Sequence, residues 1–144
     1  MPGPSSFTPR PVKPSLPKRH FTLAMANKTL PLVKRVVADI VAAHDHALDV
    51  QAKVERLRDG AAELQTLQKD LDGTLDRLQT FVDELTEIGC ELKDYQTGLI
   101  DFVARHQGRD VYLCWKLGED KIAYWHELSA GVAGRKPVAT LDER

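Results

Sequence analysis

The chain has 144 residues, 42% of them hydrophobic and 28% charged, with Lys+Arg 20 against Asp+Glu 21. That is the composition of one globular domain with a core of its own, and it excludes a disulfide-rich miniprotein, a collagen-like repeat and a highly charged disordered tail. The formal charge of −1 argues against nucleic acid as the main partner.

No apolar run approaches the roughly 20 residues of a membrane span. The N-terminus has no apolar segment resembling a signal peptide, and two cysteines suit a reducing cytosol, so a cytoplasmic protein without membrane contact is expected.

Residues 1–20 hold six of the eight prolines, together with Arg10, Lys13, Lys18 and Arg19 and no acid. Near-neutrality therefore conceals a +4 arm on a −5 body. Proline at this density removes amide donors and fixes φ, which predicts an extended tail without packed structure.

Order is expected from Phe21. Thr22 can cap a short helix over Leu23–Ala26 with Phe21 as its staple residue, and Pro31 suits the first turn of a second helix. Helical periodicity then runs to about Ile88. Leu64, Leu67, Leu71, Thr74, Leu78, Phe81, Leu85 and Ile88 recur at alternating steps of three and four, an a/d seam with one polar break. Val37, Ile40, His44, Ala47, Gln51 and Val54 form a matching seam. A turn at Asp59-Gly60 leaves arms of residues 32–59 and 61–88, each roughly 42 Å long at 1.5 Å per residue. The prediction is a long antiparallel helical hairpin, coiled-coil-like, over about residues 22–88.

After Gly89 the period drops to two. Cys90–Lys93, Leu99–Arg105, Asp110–Leu117 and Ile122–Leu128 read as strands of an antiparallel meander of three to four strands, within about 90–128. A two-residue turn at Gln107-Gly108 pairs Ala104 with Val111, Phe102 with Leu113 and Ile100 with Trp115. A second at Glu119-Asp120 pairs Leu117 with Ile122, Trp115 with Tyr124 and Leu113 with His126. Both registers place the apolar residues on one face, toward the helices. The opposite face then carries the rows Asp101–Cys114–Trp125 and Val103–Tyr112–Glu127. Such a surface is fit to bind a ligand, accept a partner or form half of a dimer interface.

The fold class is thus α+β, with a domain over 21–137 and a C-terminal tail over 138–144. The strings Gly89 to Asp94, Gly98 to Phe102, Val111 to Glu119, Tyr124 to Glu127 and Gly131 to Pro137 resemble the uncharacterised prokaryotic family catalogued as domain of unknown function 2203. Val103 and Val132 stand where that family's pattern has a proline and an aromatic. The resemblance implies no established activity.

Chemistry-bearing residues are few. Alternation sends Cys90 and Cys114 to opposite faces, against a disulfide or a shared metal site, and neither cysteine count nor spacing suggests structural zinc. An Asp101 carboxylate beside Cys114 raises the thiol's pKa and weakens it as a nucleophile. His126 is expected at the end of the apolar face, with its ring hydrogen-bonded to helix or backbone. His44 and His46 point apart on a helix and form no chelate. Arg135 follows a strand but precedes no helix, so the glycines around it are not a phosphate loop, and it is expected to pair with Glu127 or Glu119. No Ser-His-Asp order, Walker loop or dinucleotide fingerprint is present.

Two functional classes follow. The first is a non-enzymatic module that forms a homodimer or binds a partner protein through its helices. The second is a small-ligand or metal-binding protein, or an enzyme, using Asp101, Tyr112, Cys114, Trp125, His126, Glu127 and Arg135. The long regular seam favours the first, and no cofactor is implied.

Overall fold

A computed structural model describes residues 19–58 and 62–144. The proline-rich segment over 1–18 and the expected turn at Asp59-Gly60 lie outside the described residues. Two helices, α1 (Leu23–Arg56) and α2 (Ala62–Ile88), pack against each other as a hairpin. A five-stranded antiparallel sheet follows: β1 (Cys90–Asp94), β2 (Leu99–His106), β3 (Arg109–Lys116), β4 (Tyr124–Glu127) and β5 (Lys136–Pro137). Strand order in space equals strand order in the chain. No helix among the described residues is long and apolar enough to cross a membrane.

Thr22 caps α1, its hydroxyl accepting from the Met25 amide at 3.1 Å, and Phe21 packs edge-on against Phe102 at 4.9 Å. The expected break before Pro31 is absent, and one 34-residue helix runs through it. A proline inside a helix costs about 3 kcal/mol. Continuous burial outweighs that here: Ala26, Leu30, Val33, Val37, Ile40, His44 and Ala47 recur at steps of four and three, and all are buried.

The first part of α1 seats on the sheet. The Asn27 side chain accepts from the Ile122 amide at 2.9 Å, and Lys34 donates to the Asp120 carbonyl at 2.7 Å. Val37 and Val41 lie against Gly98, whose φ is +69°. A Cβ there would sit 2.8 Å from Val37 Cγ1 and 2.9 Å from Leu117 Cβ. Gly98→Ala is therefore expected to lower stability by about 2 kcal/mol in urea denaturation, combining backbone strain with overpacking.

Farther along the hairpin the core thins. On α2 the buried residues are Thr74, Leu78, Val82 and Leu85, whereas Leu64, Leu67 and Leu71 are only half-buried. Thr74, the polar break in the seam, is wholly buried, and its hydroxyl donates to Asp70 Oδ1 at 3.2 Å.

The β2–β3 register is the one expected, with Ala104, Phe102 and Ile100 opposite Val111, Leu113 and Trp115. The β3–β4 register is not. The pairs are Val111–Glu127, Tyr112–His126, Leu113–Trp125 and Cys114–Tyr124, one residue away from a two-residue turn at Glu119-Asp120. The connection spans residues 117–123, because its interior is held by other partners. Trp115 Nε1 donates to the Glu119 carbonyl at 3.0 Å, and Ile122 turns into the core. A one-residue slip exchanges the faces of a strand, so Trp125, His126 and Glu127 all change sides.

Two further departures lie at the C-terminus. Lys136–Pro137 adds a fifth strand, and the segment expected as a tail is hydrogen-bonded to the domain. The Asp142 amide donates to His106 Nδ1 at 2.9 Å, and Glu143 accepts from the Leu23 amide at 2.6 Å.

Candidate functional site

Period-two alternation gives the sheet an inner face, on which Ile100, Phe102, Ala104, Val111, Leu113, Trp115 and Trp125 join the helices in the core. Trp125, expected outside, is 2% exposed and stacks on His106 at 4.3 Å. Its indole donates to Thr140 Oγ1 at 2.9 Å. Glu127 also leaves the outer face: it pairs with Val111 and meets Arg109 at 2.6 Å. Of the expected rows, Asp101–Cys114 and Val103–Tyr112 stand, Tyr124 replaces Trp125 in the first, and His126 replaces Glu127 in the second.

The slip carries His126 from the expected apolar face to the outer face, beside Asp101 and Cys114. Nε2 of His126 lies 3.1 Å from Asp101 Oδ1, with both side chains almost fully buried. Nδ1 lies 2.7 Å from the Glu127 carbonyl oxygen. A carbonyl only accepts, so Nδ1 carries a hydrogen and Nε2 faces the carboxylate. Cys114, wholly buried, stands opposite Asp101 in the ladder and hydrogen-bonds to it. One atom from each residue forms a group within 4.8 Å.

Burial sets the electrostatics. It pushes the Asp101 carboxyl above the usual carboxylate range, against the pull of His126. Burial first and the Asp101 charge second push the Cys114 thiol up to about 12, so it is not a nucleophile at neutral pH. Cys90, on the inner face, is raised by burial to about 12 as well.

Longer side chains surround the group. The Tyr112 ring tilts against His126 at 5.4 Å, and its hydroxyl donates to Glu91 Oε1 at 3.1 Å. Lys93 sits 4.8 Å over the Tyr112 ring and pairs with Glu91 at 3.0 Å. Arg135 lies 4.2 Å over the Tyr124 ring and pairs with Glu119 at 2.7 Å, one of its two expected partners. Arg135 Nε is buried with no hydrogen-bond partner among the described residues.

Asp101, Tyr112, Cys114, His126 and Arg135 thus gather at the outer face, while Trp125 and Glu127 do not. Lys93 and His106 escaped the sequence reading. Alternation through Ile100, Phe102 and Ala104 continues to His106 and is the signal that would have placed it against the core.

A family model described as an uncharacterised conserved protein, domain of unknown function 2203, matches residues 19–138. No curated protein and no solved structure matches the chain.

Proposed function

Since the chain belongs to the family of uncharacterised conserved proteins with domain of unknown function 2203, which brings no activity with it, we propose that it is a non-enzymatic interaction module whose helical arm pairs with a second copy of itself. One observation carries this reading: between Ala62 and Gly73 no residue of α2 is buried, although Leu64, Leu67 and Leu71 continue the seam. Two helices leave such a stripe half-covered, whereas four bury it on all sides.

The expected result is a particle of twice the 16.1 kDa chain mass by sedimentation equilibrium. Leu67→Asp, on the half-buried part of the seam, is expected to return it to the single-chain mass with unchanged far-ultraviolet circular dichroism. A wild-type chain that stays monomeric at about 100 μM, well above the micromolar Kd of a modest specific dimer, sinks the proposal.

A further inference from the structure

The geometry points to a divalent transition-metal site, of the zinc class, formed by Asp101 Oδ, Cys114 Sγ and His126 Nε2 on the outer face of the sheet. It goes beyond the interaction reading and stands whether or not the arm dimerises.

Three observations carry it. The three donor atoms come from neighbouring strands β2, β3 and β4 and lie within 4.8 Å of one another, with their residues at most 3% exposed. Tetrahedral bonds of about 2.0–2.3 Å separate ligand atoms by roughly 3.3–3.8 Å, so small side-chain movements close the triangle on an ion. His126 is already oriented as a ligand: with Nδ1–H donated to the Glu127 carbonyl at 2.7 Å, its Nε2 lone pair points at the other two groups. Finally, the group is rich in acceptors. A neutral Nε2 and a carboxylate oxygen at 3.1 Å need a proton or a cation between them.

Charge decides which cation fits. An aspartate, a thiolate and a neutral imidazole carry −2, which a divalent ion cancels, leaving a neutral centre in a buried place. The neighbouring cations do not oppose this strongly, since Lys93 is paired with Glu91 and Arg135 with Glu119. The mixed N, S and O set suits zinc, and three protein donors leave the fourth position to water or an added donor. Binding is balanced by release of about two protons, one from the Cys114 thiol and one shared between Asp101 and His126.

The test is cobalt(II) titration of the reduced, chelator-treated full chain. One equivalent is expected to give a thiolate-to-cobalt charge-transfer band with intense visible bands, which zinc then bleaches. Calorimetry of zinc binding in buffers of different ionisation enthalpy is expected to report the two protons. Cys114→Ala is expected to abolish the charge-transfer band, and Cys90→Ala to keep it. Asp101→Asn keeps a hydrogen bond to Nε2 and is expected to fold yet bind cobalt more than about 100-fold more weakly, so the proposal stays testable if Cys114→Ala unfolds. A wild-type chain without the band, a band that survives Cys114→Ala, or unchanged affinity in Asp101→Asn overturns the site.

Discussion

Trp125→Ala is expected to destabilise the domain by about 3–5 kcal/mol in equilibrium urea unfolding, the range for emptying a buried indole site. The side chain is 2% exposed, faces Leu113 across the ladder, stacks on His106 and donates to Thr140. Its removal opens a cavity between sheet and helices and leaves the Thr140 hydroxyl without this donor. A loss under about 1 kcal/mol excludes the packed, inward placement of Trp125 that the β3–β4 register sets.

That register marks the boundary of what the sequence makes legible. The β2–β3 pairing was readable because its turn chemistry is local: Gln107 and Gly108 both have positive φ, at 51° and 79°, as a two-residue hairpin loop requires, and the bonds of their amides to the Asp142 and Arg144 carbonyls add to a turn the sequence already announces. The hairpin seams were readable for the same reason, since a 3.6-residue period shows within a few turns. The β3–β4 connection is fixed from afar. Its Ile122 amide is satisfied by Asn27, 95 residues earlier, and no local pattern announces that bond. Hence Asp101 and Cys114 could be placed together from alternation alone, but His126 could not be added to them. The continuity of α1 through Pro31 was hidden likewise: the local penalty is plain in the sequence, and the burial that overcomes it is tertiary.

Asp101→Ala is expected to cost about 3 kcal/mol, and Asp101→Asn about 1 kcal/mol or less, in the metal-free chain. Alanine removes the carboxyl group that the His126 ring and the Cys114 thiol, both buried, share as a partner. Asparagine donates to Nε2 and accepts from the thiol, so it preserves both contacts while abolishing the charge. The difference between the variants, read from urea midpoints at constant m, measures what it costs to leave the pair broken. Equal losses for the two would show that the negative charge itself, and not the hydrogen bonding, holds the cluster.

The sheet's strands lie side by side in the order in which the chain makes them, and their connections are two to eight residues long. Loop-closure entropy grows with the logarithm of loop length, so each addition of a strand to its neighbour is cheap in lost freedom. The helix α1 is the opposite case. Its ties to the rest of the domain, Lys34 to Asp120, Asn27 to Ile122 and Leu23 to Glu143, close spans of 86, 95 and 120 residues. The entropic burden of this topology is thus gathered in one element, and that element also supplies half of the arm.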